Sequence, residues 1–217
     1  CDLPYGTTAC KWDSVIPFEP LWEQYKRITK PNAAIVLFGS EPFSTMIRIS
    51  NLKWFKNDWI WVKSQAANFT QVKREPLKNF EVISVFGKNP NYYPQGVTNT
   101  SISKSGKRKG GGVFSAISGN KDYEQRQTGY PNAVLYFSNK KEKRYHPTQK
   151  PINLLRYLIL TYTKVGGVIL DNCMGSGSTC VAAIREHRQY IGIEKDHTYF
   201  EIAKKRIEQE RQYLSLF

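Results

Sequence analysis

Apolar positions recur along the chain with two different periods, and the way these alternate outlines an α/β protein. Leu21, Tyr25 and Ile28 keep the i, i+4, i+7 spacing of one helix face, which predicts a helix over residues 19–28. Pro31-Asn32 breaks it. The apolar run 33–38, ending at Gly39, then predicts a short buried strand of the parallel kind. A second helix is expected from Glu41 or Pro42, carrying Met46, Ile47 and Ile49. Residues 59–63 and 80–86 read as strands, the second more plainly because its apolar residues are β-branched or aromatic.

From Gly87 to about Arg144 the texture changes to Asn, Ser, Gly, Lys and Tyr, with a basic glycine-rich patch at 104–112. One apolar island, 133–137, predicts a strand returning to the sheet. The rest reads either as a functional excursion or as a solvated, flexible one. Regularity returns at His146. A helix opens at Pro151 or Ile152 with Leu154, Leu155, Leu158, Ile159 and Tyr162 on one face, and Gly166-Gly167 stops it. Strand 168–170, loop 172–178, helix 179–187, strand 190–194 and a long helix from about 197 to 212 follow. That succession is a βαβ unit, whose parallel strands require a right-handed crossover. No internal repeat interrupts it.

Composition narrows the class. The chain has 217 residues and is 40% hydrophobic, enough for a sizeable core with a substantial insertion. No apolar run nears the roughly 20 residues that span a bilayer, so no membrane role is expected. The polar, turn-forming first residues do not resemble a secretory leader. Four cysteines at positions 1, 10, 173 and 180 form no close pair and no cluster with histidine, so no metal is expected, and a reduced intracellular protein is the simpler account. Charge says more. With 32 Lys and Arg against 18 Asp and Glu the net charge is +14, and the pI is about 9.6. Such an excess favours a polyanionic partner.

The stretch 171–179, Asp-Asn-Cys-Met-Gly-Ser-Gly-Ser-Thr, lies between a predicted strand and a predicted helix. Glycines there let the backbone approach a ligand closely, and the helix start offers amide donors. A phosphate-binding loop needs a Lys where Ser178 stands, and a dinucleotide fold wants a third glycine where Cys180 stands. Asp171 at the loop's mouth would repel a pyrophosphate and attract a sulfonium or ammonium. Glu194, ending the next strand, suits ribose hydroxyls. Together they describe a nucleoside site with a cationic tail, which S-adenosylmethionine fits; a tight βα turn with ordinary surface acids is the alternative.

Asp2-Leu3-Pro4-Tyr5 resembles the Asp-Pro-Pro-Tyr signature of amino-group DNA methyltransferases. His146-Pro147-Thr148-Gln149-Lys150-Pro151 resembles the element that introduces their cofactor-binding half, and 171–179 is similar to their Asp-Pro-Phe-Met-Gly-Ser-Gly-Thr-Thr loop. The order, catalytic motif before variable region before cofactor motif, is that of the β group. This resemblance implies a Rossmann-like, doubly wound, mostly parallel sheet of the S-adenosylmethionine-dependent methyltransferase kind with an inserted target-recognition region. It divides the chain into a catalytic half (1–86), a recognition insert (87–144) and a cofactor-binding half (145–217). Two departures stand out: Leu3 replaces the first proline, and Asn172-Cys173 replaces Pro-Phe. The family's strand leading into the tetrapeptide is also missing, so further sequence upstream is expected.

Under the resemblance, Asp2 and a backbone carbonyl of Leu3 or Pro4 accept hydrogens of the target amine. Pro4 rigidifies the turn, and Tyr5 stacks on a base flipped out of the duplex. Asp171, Asn172, Cys173, Gly175, Gly177 and Thr179 form the cofactor loop, with Glu194 on the ribose. Lys150 and Thr148 reach the cofactor carboxylate, although Thr148 would also suit a helix start. Lys104, Lys107, Arg108 and Lys109 contact DNA phosphates, and Tyr92, Tyr93, Tyr123 and Tyr130 are candidates for stacking. The implied reaction is methylation of adenine N6 in DNA in a bacterial or phage-infected cytoplasm, in a restriction-modification setting. Cytosine N4, an RNA substrate, an inactive DNA-binding protein with a vestigial cofactor fold and a nucleotide-dependent oxidoreductase are the alternatives; a homodimer is left open.

Overall fold

A computed structural model describes residues 1–7, 10, 13–106, 123–140 and 143–215, with 101–106 and 123–125 described by their backbone. Residues 1–93 and 133–217 pack as one compact unit, and 94–132 as a second.

In the first unit, helix α1 (Phe18–Ile28) buries Leu21, Trp22 and Tyr25. Ile28, expected on that face, is exposed instead. It is the last helical residue, and the chain leaves it extended at Thr29. Trp22 takes its place and donates its indole N–H to Ser50 Oγ at 2.8 Å. Strand β1 (Ile35–Gly39) leads into α2 (Phe43–Ser50), which turns Phe43, Ser44 and Ile47 inward and leaves Met46 and Ile49 exposed. Strands β2 (Phe55–Ala67) and β3 (Lys78–Phe86) run longer than the apolar stretches that predicted them, with pairing that reaches Ala67 and Lys78. Backbone ladders need no apolar side chains, so their polar ends carried no periodic signal.

The second unit holds β4 (Thr98–Gly106) and β5 (Tyr123–Thr128), an antiparallel pair within the region read as an excursion without strands before 133. The run Thr-Asn-Thr-Ser of β4 offers no apolar alternation from which to read a strand.

Back in the first unit come β6 (Val134–Tyr136), α3 (Ile152–Tyr162), β7 (Val168–Asp171), α4 (Ser178–Arg185), β8 (Gln189–Gly192) and α5 (His197–Leu214). One sheet has the order β1-β3-β2-β6, and β7 pairs with β8. Strands β1, β2 and β6 run in one direction and β7 is parallel to β8; β3 alone is reversed, antiparallel to both neighbours. This is the mostly parallel α/β architecture expected. On its other edge β1 forms a parallel bridge with Cys1, whose amino nitrogen donates to Val36 O at 2.7 Å and whose carbonyl accepts from Phe38 N at 3.1 Å.

Both faces of the larger sheet are covered. Phe38, Trp59, Trp61, Ile83 and Val85 pack with α3, α4 and α5, whereas Ile35, Leu37 and Phe86 pack with α1 and α2. Neighbours on β1 thus belong to opposite cores, as the period-2 geometry of a strand requires. Trp59 and Trp61 lie on the first face; Trp59 donates to Tyr162 Oη at 2.7 Å and Trp61 to Phe137 O at 2.9 Å, so each buried indole is satisfied. Among the described residues, no helix is long and apolar enough to cross a membrane.

Candidate active site

The bridge between Cys1 and β1 delivers Asp2 to the carboxyl end of that strand, the edge where open α/β sheets place their ligands. Leu3 explains the first departure from the family pattern: its side chain is 3% exposed and anchors in the core with Leu21, Phe43 and Ile47. Burying such a side chain contributes about 1.5–3 kcal/mol, which offsets the turn stiffness a proline would supply. Half-buried Pro4 follows, and Tyr5 packs against both cores. The Tyr5 ring stacks on Phe43 with centroids 4.9 Å apart, so one of its faces is already taken. Its hydroxyl donates to Asp2 Oδ1 at 2.6 Å. Burial, and after it the Asp2 charge, pushes the Tyr5 phenol well above its usual range. Beyond the tetrapeptide, the buried Asp13 carboxylate accepts from Gly6 N and Thr7 N, both at 2.9 Å, and fastens the chain as it leaves the site.

The glycine loop sits between β7 and α4. Gly175 and Gly177 have φ of +52° and +78°, and a Cβ on Gly177 would come within 3.0 Å of Ala203 Cβ. Glycine is required there on both counts. Buried Asp171 accepts from Cys173 N at 3.1 Å. Glu194, two residues past β8, accepts from Gly175 N at 2.9 Å and Asp196 N at 2.8 Å, so this acid shapes the loop as well as facing it. Thr179 is half-buried in the first turn of α4. The second departure is accommodated by α1, since Tyr25 donates its hydroxyl to Asn172 Oδ1 at 2.8 Å. Burial, then the Asp171 charge, pushes the Cys173 thiol up to about 12, so it stays neutral. Two acidic side chains, Asp171 and Glu194, thus border the loop beside a neutral thiol.

Residues 146–150 join the two motifs. The His146 ring packs edge-on against Tyr199 at 4.2 Å and would lie 3.7 Å from a Cβ on Gly175. Exposed Thr148 turns its hydroxyl to His146 Nδ1 at 3.1 Å. Gln149 Oε1 accepts from Ser176 Oγ at 3.3 Å. Lys150, buried, extends the other way and donates to Asp2 Oδ2 at 2.5 Å. The structure therefore brings Asp2, Tyr5 and Lys150 together, and sets Gly175, Ser176 and Glu194 around the other end of the same segment.

Burial first of all holds His146 below its ordinary value of 6.5, against the opposing pull of Glu194 and Asp2. As pH falls below 6.5 the unfolded chain takes up that proton before the folded one does. The resulting stability is fully present above 6.5 and is lost as pH drops toward the folded value. Urea unfolding at pH 7.5 and 5.5 checks this. The unaltered chain is expected to lose more stability between these pH values than His146→Gln, and equal losses would refute it.

A family model described as DNA methylase, covering N6 and N4 enzymes, matches residues 6–205. The chain belongs to the N6/N4 DNA methylase family. Type II methyltransferase M2.DpnII of Streptococcus pneumoniae is 51% identical over 67 residues, which are 31% of this chain and 25% of that relative. The putative methylase YubD of Escherichia coli K12 is 45% identical over 64 residues, 30% of this chain and 28% of the relative. The matched stretches thus span little more than a quarter of those relatives. The crystal structure of an M1.HpyAVI–SAM complex superposes with a TM-score of 0.62 at 24% identity, covering 94% of this chain and 86% of the other. At that identity the likeness establishes the methyltransferase fold.

Several residues of this family member went unread in the sequence. Asp13 and Glu81 gave no periodic signal. Arg206, within the basic stretch of α5, is buried and donates from Nη1 to Ser178 Oγ at 2.9 Å and Ser176 O at 3.2 Å, stapling the glycine loop. Its guanidinium lies 4.9 Å from the Tyr145 ring centroid. Of the expected DNA contacts, Lys107, Arg108 and Lys109 lie outside the described residues, and Lys104 is a backbone position in β4. Tyr92 lies beside Tyr162 with ring centroids 6.2 Å apart, Tyr93 is under Lys164 at 5.4 Å, Tyr123 opens β5, and exposed Tyr130 donates to Gln127 at 2.8 Å.

Proposed function

We propose that the chain transfers a methyl group from S-adenosylmethionine to the N6 amino group of an adenine flipped out of DNA. The observation that carries this reading is the segment 146–150, which reaches the Asp2 carboxylate through Lys150 and the glycine loop through the neighbouring Gln149, on Ser176, and through His146, beside Gly175. Family membership and the fold support it, and Asp rather than Ser at position 2 favours adenine over cytosine N4.

In this reading residues 1–86 supply the catalytic half, 145–217 the cofactor-binding half, and 87–144 target recognition, with Lys104, Lys107, Arg108 and Lys109 on phosphates. Bound there, the cofactor would supply an electrophilic sulfonium methyl for the amine nitrogen, and the proton that the amine releases would pass by way of the Asp2 carboxylate to solvent. Asp171 and Glu194 offer the negative field and hydroxyl acceptors such a cofactor needs, with Asn172, Cys173, Gly175, Gly177 and Thr179 around it. A carboxylate has about four lone-pair positions, so Asp2 keeps acceptor capacity on both oxygens after serving Tyr5 and Lys150. It would accept a hydrogen bond from the amine there and draw the nitrogen toward tetrahedral geometry, with a carbonyl of Leu3 or Pro4 as acceptor for the second amine hydrogen. Tyr5 offers its remaining ring face to the base.

Mass spectrometry of nucleosides from DNA incubated with the chain and S-adenosylmethionine decides the matter. N6-methyladenine is the expected product. N4-methylcytosine alone would move the assignment to the other amine, and no product together with no calorimetric cofactor binding would leave a DNA-binding protein with a vestigial site.

A further inference from the structure

We infer that Glu81 is a positioning residue for the methyl transfer, acting through Lys150 to hold the Asp2 carboxylate in its reactive orientation. The inference deepens the proposed function and rests on it. Glu81 lies on β3 where the strand passes from its exposed start, Lys78–Phe80, into the buried run that begins at Val82, and its side chain is 11% exposed. Its Oε1 pairs with Lys63 Nζ of β2 at 2.5 Å. Its Oε2 lies 3.3 Å from Lys150 Nζ as an ion pair, and has no further hydrogen-bond partner among the described residues. Lys150 Nζ continues to Asp2 Oδ2 at 2.5 Å, and Asp2 Oδ1 to the Tyr5 hydroxyl at 2.6 Å.

Charges alternate along this line: Lys63 positive, Glu81 negative, Lys150 positive, Asp2 negative. The sum is zero, which is what allows four such groups to be enclosed together, because each buried charge unpaired would cost several kcal/mol, roughly. Removing Glu81's charge leaves two ammonium groups facing a single carboxylate. Lys150 then either loses its proton or is pushed from its place by Lys63, and in both cases the hold on Asp2 Oδ2 weakens and only Tyr5, on Oδ1, still fixes the carboxylate.

The groups around Lys150 come from every neighbouring element. Asp2 and Tyr5 lie on the N-terminal segment, Glu81 on β3 with Lys63 behind it on β2, Phe38 of β1 has its ring centroid 5.1 Å from Nζ, and His146 is four residues upstream. Burial lowers the lysine's affinity for its proton, but Asp2 and Glu81 more than reverse this and hold it above 10.5. Glu81 in turn is kept below the usual carboxylate range, burial being outweighed by Lys150 and Lys63.

The test compares the unaltered chain with Glu81→Gln and Glu81→Asp, using single-turnover rates at saturating DNA and cofactor across pH. The unaltered chain is expected to show no loss of rate from Lys150 below pH 10.5. Glu81→Gln is expected to slow transfer about tenfold to a hundredfold, with cofactor Kd within twofold, roughly, and to bring an alkaline loss of rate to lower pH. Glu81→Asp restores the charge and should move that limb back. Unaltered rate, KM and pH profile in Glu81→Gln would overturn the inference, as would a uniform loss of rate with no pH shift. Urea unfolding gives a readout that needs no activity: the losses from Glu81→Gln and Asp2→Asn should fail to add in the double variant, and additive losses would also overturn it. Non-additive losses in a chain whose unaltered form methylates nothing would instead refute the proposed reaction, and the positioning role with it.

Discussion

Asp2→Asn is expected to slow methyl transfer by a factor of about 10²–10⁴ while leaving affinity for S-adenosylmethionine within a few fold. The asparagine keeps the shape of the side chain but turns one of its two acceptor atoms into a donor. That atom would face the Tyr5 hydroxyl or the Lys150 ammonium, both donors at 2.6 and 2.5 Å, or the hydrogens of the incoming amine. Cofactor affinity should change little because the glycine loop takes its shape from Glu194, Asp171 and Arg206 rather than from Asp2. Single-turnover rates and calorimetry on one preparation check both halves. A retained rate would remove Asp2 from the chemistry, and a collapse of affinity would make it part of the cofactor site.

Arg206→Met should show the converse, with cofactor binding weakened and the network around Asp2 intact. The guanidinium satisfies Ser176 O, Ser176 Oγ and Ser178 Oγ from inside the protein, where water does not compete. Methionine fills much of the space and offers no donor, and a buried polar group left without its partner costs about 1–3 kcal/mol. Each 1.4 kcal/mol or so of lost loop order weakens binding tenfold, so Kd for S-adenosylmethionine is expected to rise by one to two powers of ten, roughly. At saturating cofactor the rate should return to within a few fold of normal. An unchanged Kd would mean that the loop holds its form without this staple.

The parts of the fold that were readable in the sequence are those whose side chains carry a period. Helix α3 shows it best: Leu154, Leu155, Leu158, Ile159 and Tyr162 were expected on one face, and all are buried. The β7–α4–β8 unit is equally plain, because glycines mark its loop and β-branched residues its strands. Strands β4 and β5 were not readable, since a polar pair held by backbone hydrogen bonds leaves no trace in hydropathy. The site divides in the same way. Asp2, Asp171 and Glu194 stand in compact motifs, but Glu81 acquires its meaning only from Lys150, 69 positions further on, and Arg206 only from a loop some thirty positions back. Contacts of that span are products of folding and have no local signature. A charged residue inside a strand between Phe80 and Val82 was the one available hint.

The buried side chain of Leu3 has a consequence for how the protein comes apart. Because it is part of the same apolar cluster as Leu21, Phe43 and Ile47, the segment bearing Asp2 is tied through Leu3 to the packing of α1 and α2. Loss of the packing of α1 or α2 is therefore expected to release Leu3, and Asp2 with it, in the same event. On the proposed reading, the carboxylate that meets the amine then stands or falls with the helices that cover this face of the sheet.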